Sequence, residues 1–148
     1  MLVEPDYVAL NAAADGPAPL PERLRGVVAQ GLEDVRRRSA LYRGGQPQQD
    51  VSGRRVIVVS DAASTGTTLR GVVASVRGRG AREIIVALPV GPAGVMADLG
   101  ERAERVVHLA TPAHLIARQS HYPQPREVED DEIARLVREA TGPAAPAP

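Results

Sequence analysis

The spacing of hydrophobic positions changes along the chain. Between residues 21 and 42, apolar side chains recur every three or four positions, which predicts a long amphipathic helix that ends at Gly44 and Gly45. After a polar connector, short β-branched runs alternate with helical spacings. These runs predict three strands, over residues 55–59, 83–88 and 105–109. Alternating strands and helices imply parallel strands joined by right-handed crossovers, so the expected fold class is α/β, a parallel sheet with flanking helices.

Shorter apolar patterns predict the remaining helices. The helix after the first of these strands ends at Gly78 or Gly80, and a short helix is expected over residues 94–102. Residues 130–140 are predicted to form a helix with an acidic first turn. The inward side chains are expected to be Leu69, Val72, Val73 and Val76 in the first of these helices, and Ile133, Leu136 and Val137 in the last. The run RVIVV at residues 55–59 fits a strand buried on both faces.

The patterns predict one domain over residues 21–141, and a hydrophobic content of 43% in 148 residues suits a single core. Residues 1–20 are expected to form a loop with one short strand, Tyr7–Leu10, and residues 142–148 a disordered tail. No segment reaches the roughly 20 apolar residues that cross a bilayer, and the first residues lack the pattern of a secretory signal. A cytoplasmic protein is therefore expected.

Composition and charge limit the kinds of functional site that the chain can have. The chain has no cysteine, which excludes disulfides, thiolate nucleophiles and cysteine-ligated metal centres. Its 18 basic residues are all arginines and balance 18 carboxylates, so neither nucleic acid nor membrane is an expected partner. Residues 36–82, however, carry ten arginines against Asp50 and Asp61, a net charge of +8. This excess favours a small anionic ligand, although Arg36–Arg38 as the solvated face of a helix explains part of it.

A polar loop follows the first strand of the predicted sheet, at the edge where parallel α/β sheets bind ligands. In VIVVSDAASTGTT, a glycine lets the backbone approach an anion, and first-turn amides, four hydroxyls and the helix dipole favour a phosphate. Asp61 is placed to bind the hydroxyls of the same ligand, as carboxylates bind ribose diols. The loop therefore predicts a ribose 5-phosphate site. Its candidate residues are Ser60, Asp61, Ser64, Thr65, Gly66, Thr67 and Thr68.

The loop has a second interpretation, as a polar turn with a good N-cap of the kind that every α/β protein needs. It is not a Walker A loop, because no Gly-Lys-Ser/Thr follows, and it is not GxGxxG. The predicted strand before it and helix after it favour the phosphate interpretation.

These residues resemble the signature of the type I phosphoribosyltransferases, which bind phosphoribosyl pyrophosphate (PRPP). That signature consists of four apolar residues, two residues that are usually acidic, and a loop ending in T-G-x-T. One bacterial branch of the family has further segments in the same order as this chain, so the resemblance covers most of residues 24–138. The matching segments are Tyr42–Gly45, Ser60–Thr68, Ala87–Pro92, Thr111–Pro112 and Asp130–Ile133.

The resemblance implies a partial, Rossmann-like version of the family's fold and an activity. A nucleophile, usually a base nitrogen, would displace pyrophosphate at C1 of PRPP through a transition state with oxocarbenium character. Ser64–Thr68 would bind the 5-phosphate, and Asp61 would bind the ribose hydroxyls and act as the catalytic residue by supporting the cationic sugar. Mg²⁺ would neutralise the leaving pyrophosphate and be held mainly by the substrate, with no metal bound directly by the protein.

The chain departs from the family's pattern at three places. Ser60 replaces the first acid of the pair, and Ala62 and Ala63 offer no general base. Residues 1–20 are not expected to supply the strand and the pyrophosphate-binding loop that the family places before this region. The related branch tends to carry aromatic residues at positions 115, 121 and 125, which leaves Tyr122 as the surface on which a base could stack.

The sequence gives weaker indications of function for four further polar residues. Arg43 is a candidate for the pyrophosphate side, because guanidinium groups suit phosphate oxygens, with an exposed, solvated arginine as the alternative. His114 and His121 are seven residues apart and could share a helical face, but no third ligand accompanies them at metal spacing. His108 is expected to be structural, inside an apolar strand.

Three hypotheses about function stay open. The first is an enzyme that transfers the phosphoribosyl group to an unidentified acceptor, active as a homodimer or with a complementing chain. The second is a degenerate module that holds PRPP, a nucleoside monophosphate or only a protein partner, without turnover. The third is a fragment of a longer enzyme. Ser60 and the short N-terminal segment favour the second, whereas the intact TGTT sequence favours ligand binding in either of the first two.

Overall fold

Residues 2–4, 7–9, 22–115 and 118–141 are described by the computed structural model, in which the chain forms two units. The first unit consists of residues 1–18 and 50–125, and the second of residues 19–49 and 126–148. The predicted tail, residues 142–148, lies outside the described residues. The elements in chain order are β1 (Leu2–Glu4), β2 (Tyr7–Ala9), α1 (Glu22–Arg43), β3 (Arg55–Val59), α2 (Thr67–Gly78), β4 (Glu83–Ala87), α3 (Ala93–Gly100), β5 (Arg105–Val107) and α4 (Asp130–Thr141).

A three-stranded parallel sheet lies in the first unit, with the strand order β3-β4-β5. Val58 pairs with Val86, and Val86 pairs with Val106 in the next strand. Helices α2 and α3 form the two crossovers, as the alternation of apolar patterns predicts. The α/β fold class is therefore confirmed, and the helix and strand bounds agree with the sequence pattern to within about two residues.

The core lies on one face of this sheet. A chain that adds strands in one direction through right-handed crossovers places both helices on the same side. Ile84 and Val86 of β4 are fully buried there, and each such side chain stabilises the fold by about 1.5–3 kcal/mol. The helices contribute Leu69, Val73, Val76, Met96 and Leu99.

The opposite face of the sheet is open among the residues that the structure describes. Successive side chains of a strand point to alternate faces, and on this face 60% of Ile57, 76% of Val59 and 41% of Val107 is exposed. The expectation that β3 is buried on both faces is therefore wrong. A run of β-branched residues predicts a strand, but the direction of the crossovers decides which face the helices cover.

Two local features differ from the sequence pattern. The predicted strand near Tyr7 pairs antiparallel with a second strand, Leu2–Glu4, and the two contact α2. β5 ends at Val107, so His108 lies beyond the strand and is exposed, which corrects its expected place inside the strand.

The second unit is a pair of packed helices, α1 and α4. The hydroxyl of Tyr42 donates a hydrogen bond to Asp130 Oδ1 at 2.5 Å, and this bond raises the pKa of Tyr42. Ala134 is buried, whereas Leu136 is exposed. The prediction that Leu136 points inward is wrong, because the buried stripe of α4 follows the three- and four-residue spacing through Ala134.

None of the helices in the described ranges combines the length and the apolar character that crossing a bilayer requires.

Candidate functional site

The loop between β3 and α2, residues 60–66, borders a concave site at the carboxyl end of the sheet. We call it the β3–α2 loop. The amide of Ser60 donates to the carbonyl oxygen of Ala87 at 3.0 Å, which continues the strand ladder by one residue. Residues 60–69 line a cavity of about 250 Å³. The cavity therefore lies where parallel α/β sheets bind their ligands.

Gly66 gives this loop its shape. Its φ angle is +73°, a left-handed conformation that side chains other than glycine rarely adopt, and it is the N-cap of α2. A Cβ atom at this position would lie 2.9 Å from Val95 Cγ1. The carbonyl oxygen of Gly66 accepts the amide of Arg70 at 2.9 Å, the first hydrogen bond of the helix. A larger residue at position 66 would therefore strain the backbone and displace α3 or the loop.

Hydroxyl groups surround the start of α2. Ser64, Thr65 and Thr68 are exposed, Thr67 is half-buried, and the Oγ1 atoms of Thr65 and Thr67 lie 3.1 Å apart. The first-turn amides of an α-helix have no carbonyl acceptor within the helix, and its N-terminus carries a partial positive charge. No acidic residue lies in the first turn of α2. The arrangement therefore offers several hydrogen-bond donors to an anion.

Ser60 and Asp61 lie at the start of the loop and also line the cavity. The Ser60 hydroxyl donates to the carbonyl oxygen of Ala62 at 2.9 Å, so it stabilises the turn itself. The side chain of Asp61 is exposed, and its backbone oxygen accepts a hydrogen bond from the Tyr122 hydroxyl at 2.6 Å. The cavity therefore has one carboxylate at its edge.

Tyr122 follows a short 3-10 helix, Arg118–His121, and its bond to Asp61 brings it beside the β3–α2 loop across 61 positions of sequence. The structure thus places all eight predicted site residues around one loop. The weaker candidates belong to other segments of the chain. Arg43 ends α1 in the second unit, and His114 precedes the 3-10 helix that ends at His121. The expectation that the two histidines could share a helical face is wrong.

The loop between β4 and α3, residues 88–92, packs against the β3–α2 loop. We call it the β4–α3 loop. The amide of Ala63 donates to the carbonyl oxygen of Val90 at 3.1 Å. A Cβ atom on Gly91 would lie 2.8 Å from the carbonyl oxygen of Ala63. This segment, ALPVGP, is one of the segments that resemble the family in sequence. Nothing in its sequence indicates that its glycine permits the contact between the two loops.

An ion pair beside the first turn of α2 was also missed. Arg70 Nη1 donates to Asp98 Oδ2 at 3.0 Å, and Arg70 Nη2 donates to Thr67 Oγ1 at 3.3 Å. Arg102 binds the other oxygen of Asp98. Burial raises the pKa of Asp98, but the hydrogen bonds from Arg102 and Arg70 outweigh it, so this pKa lies below its ordinary value. The spacing of Arg70 from Thr67 could have indicated their contact, whereas the sequence has no signal for Asp98.

Comparison with known proteins identifies the family of this chain. The family model for the phosphoribosyl transferase domain matches residues 22–128. Two proteins of Mycobacterium tuberculosis, from strains CDC 1551 and H37Rv, are provisionally named phosphoribosyl transferases. Each is 31% identical to this chain over 109 residues, which is 74% of this chain and 25% of the relative. The chain thus spans about a quarter of the length of the curated relatives it matches.

A solved structure has the same fold. The crystal structure of TT1426 from Thermus thermophilus superposes with a TM-score of 0.69 at 28% identity, over 81% of this chain and 61% of that one. The β3–α2 loop lies within the matched family region. The chain belongs to the phosphoribosyl transferase domain family.

Proposed function

We propose that the β3–α2 loop binds PRPP or another ribose 5-phosphate compound, and that the chain transfers the phosphoribosyl group to an acceptor with release of pyrophosphate. The observation that carries this proposal is the left-handed Gly66 at the N-terminus of α2, surrounded by hydroxyl groups and without a first-turn acid. The 5-phosphate would bind at Ser64–Thr68, where amides and hydroxyls can donate to its oxygens.

The ribose ring would extend from this phosphate toward Asp61. A carboxylate there can accept hydrogen bonds from two sugar hydroxyls. As the bond from C1 to pyrophosphate breaks, the ring gains positive charge, which a fixed carboxylate stabilises. Holding the ring still while the acceptor approaches C1 lowers the entropic part of the barrier. Asp61 would therefore act on both binding and rate.

The residues around the loop fit a Mg²⁺ ion held mainly by the substrate. Among the described residues there is no group of three histidine or acidic side chains that could hold a metal, and Asp61 is the carboxylate that lines the cavity. Such a lining suits an ion that takes its ligands from phosphate oxygens and water. When bound, Mg²⁺ would neutralise charge on the leaving pyrophosphate.

The acceptor is proposed to bind near Tyr122. Its hydroxyl is held by the carbonyl oxygen of Asp61 at 2.6 Å, which fixes the ring close to the place proposed for the ribose. An aromatic ring so placed offers a stacking surface to a planar base. A nucleobase is the acceptor class that this surface favours.

A second candidate function is binding without turnover. It is favoured by Ser60, which stands where the family usually has an acid and whose hydroxyl is bonded to the carbonyl oxygen of Ala62. In this case the loop would still bind the phosphate, but one charge would be missing from the ribose side. A homodimer or a complementing chain that supplies the pyrophosphate side would restore turnover.

Calorimetric titration with PRPP and Mg²⁺ tests the binding step. We expect saturable binding by the unmodified chain, and at least about tenfold weaker binding, about 1.4 kcal/mol, for Gly66→Val. The control is Gly78→Ala at the other end of α2, where an added Cβ atom meets nothing within 4 Å. It should bind as the unmodified chain does. Absence of binding by the unmodified chain would contradict both functions.

Measurement of pyrophosphate release separates the two functions. The assay uses saturating PRPP, Mg²⁺ and a panel of purine and pyrimidine bases. Release that depends on one base supports transfer to that acceptor. Saturable binding with no release for any base supports the module without turnover.

A further inference from the structure

Arg70 connects the proposed phosphate site to α3. Its Nη1 donates to Asp98 Oδ2 at 3.0 Å and its Nη2 donates to Thr67 Oγ1 at 3.3 Å, so the two ends of one guanidinium group bind α3 and the first turn of α2. Both Arg70 and Asp98 are largely shielded, with 26% and 30% of their side chains exposed. A flat, five-donor group held at one end has little freedom at the other.

The chain of hydrogen bonds continues from Thr67 to Thr65, whose Oγ1 atoms lie 3.1 Å apart. A donor from Arg70 occupies one lone pair of Thr67 Oγ1, which favours Thr67 as the donor to Thr65. The exposed Thr65 hydroxyl then keeps its own proton for an acceptor outside this chain of bonds, such as a bound ligand. Consecutive hydrogen bonds polarise one another, so a charged donor at one end strengthens the donor at the other.

We propose that Arg70, anchored by Asp98, is a positioning residue for the phosphate site: it orients the Thr67 hydroxyl toward Thr65, so that the Thr65 hydroxyl donates to the bound phosphate. This inference rests on the proposed function of the β3–α2 loop. Arg70 acts through Thr67 and does not itself need to touch the ligand.

Phosphate affinity of Arg70 variants tests the first step. The probe is ribose 5-phosphate, titrated by calorimetry into the full chain. We expect Arg70→Met to bind roughly three- to tenfold more weakly, the effect of one lost hydrogen bond. Arg70→Lys should lose about as much, because one ammonium group cannot reach both partners in the same geometry. Arg77→Met is the matched control, since Arg77 is on the same helix and pairs with Glu104. Its affinity should stay unchanged.

A double-mutant cycle shows whether Arg70 acts through Thr67. In the Thr67→Val background, we expect Arg70→Met to cause no further loss of ribose 5-phosphate affinity. An equal loss in both backgrounds would contradict the proposal and assign the effect to the charge of Arg70 acting directly on the phosphate. Thermal unfolding of each variant identifies loss of affinity that comes from loss of folding.

Whether Asp98→Ala weakens or strengthens ligand binding distinguishes a positioning role of Arg70 from a purely electrostatic one. Removing a carboxylate near an anion site strengthens anion binding when only the electrostatic field matters. Positioning predicts the reverse, weaker binding for Asp98→Ala, because Arg70 loses its anchor. Glu101→Ala, which removes a nearby exposed carboxylate, gives the effect of charge alone. Tighter binding for Asp98→Ala than for Glu101→Ala would overturn the proposal.

The result also separates this inference from the proposed function. If the unmodified chain binds ribose 5-phosphate and Arg70→Met binds it equally well, the phosphate site stands and the positioning role is wrong. If the unmodified chain does not bind ribose 5-phosphate or PRPP, the proposed function fails, and the positioning role fails with it.

Discussion

The β3–α2 loop and the β4–α3 loop occupy equivalent places in the fold, yet their side chains differ. Each follows a parallel strand, leads into a helix and contains a glycine against which a neighbouring group packs closely. The first loop carries hydroxyl groups and Asp61 around a cavity of about 250 Å³. In the second, Leu88, Val90 and Gly91 are buried.

This difference shows what the fold supplies and what the side chains add. Both loops lie at the carboxyl end of the sheet, where α/β proteins bind ligands. Only in the first does the glycine adopt a positive φ and precede a helix whose first turn is rich in hydroxyls. The β4–α3 loop instead packs against Ala63 and holds the first loop in place. One loop is therefore proposed to bind the ligand, and the other gives it a rigid support.

The largest effect should come from filling the contact between the two loops. In Gly91→Ala, the new Cβ atom would lie 2.8 Å from the carbonyl oxygen of Ala63, which is backbone and cannot move alone. We expect a loss of about 1–3 kcal/mol in the free energy of unfolding, the usual cost of overpacking. Urea unfolding measures it. Gly94→Ala, three residues along the chain with nothing within 4 Å of the added atom, should leave stability unchanged or higher. Equal stability of the two variants would show that the loops do not need this contact.

The next largest effect should show which residue binds the sugar and not the phosphate of the ligand. Asp61→Ala is expected to weaken ribose 5-phosphate binding at least about tenfold, about 1.4 kcal/mol, and not to weaken the binding of inorganic phosphate. The reason is that its carboxylate is proposed to bind the sugar hydroxyls. Asp50→Ala is the control, because Asp50 lies before β3 and accepts the amide of Ser52. Equal weakening of both ligands would place Asp61 on the phosphate instead.

The smallest effect concerns the opposite end of the strands and should leave ligand binding unchanged. Glu104 accepts hydrogen bonds from Arg77 and from the amide of Ile84, and these lower its pKa from 4.5 to about 2. A carboxyl group whose pKa is lowered by folding stabilises the folded state above its unfolded pKa and loses that contribution as pH falls through the folded value. The stabilisation should therefore be complete above about pH 4.5 and decline toward pH 2.

Comparison with Glu104→Gln measures this contribution. The unmodified chain should be more stable than the variant at pH 6, and the difference should shrink steadily as the pH is lowered to 3. Urea midpoints at both pH values provide the measurement. A difference that is independent of pH would mean that the ionised carboxylate does not contribute.

Much of the fold could be predicted because its signals are local. The β-branched run at residues 55–59 and the helical spacing that follows it are properties of adjacent residues, and both elements form where they are expected. The exposed face of β3 could not be predicted in this way. Whether Val59 is buried depends on which side of the sheet the crossover helices pack against. Leu136 shows the same limit within a helix, since the position of α1 decides which stripe of α4 is buried.

The candidate site also has a part that local sequence predicts and a part that it does not. The loop residues are consecutive, so the sequence alone was enough to group the glycine and the hydroxyl groups before a helix into one candidate phosphate site. The contact of Tyr122 with Asp61 and that of Arg70 with Asp98 join residues 61 and 28 positions apart. Such pairs depend on the packing of whole elements, and no spacing in the sequence encodes them.

The central claim is that the β3–α2 loop, and not its neighbour, binds the phosphate. It is tested most directly by titrating the ¹⁵N-labelled chain with ribose 5-phosphate and following the backbone amide resonances. We predict that the amides of Gly66, Thr67 and Thr68 shift most and saturate together, while those of Leu88 and Val90 shift much less. Unchanged resonances at residues 66–68, or larger shifts in the β4–α3 loop, would contradict the claim.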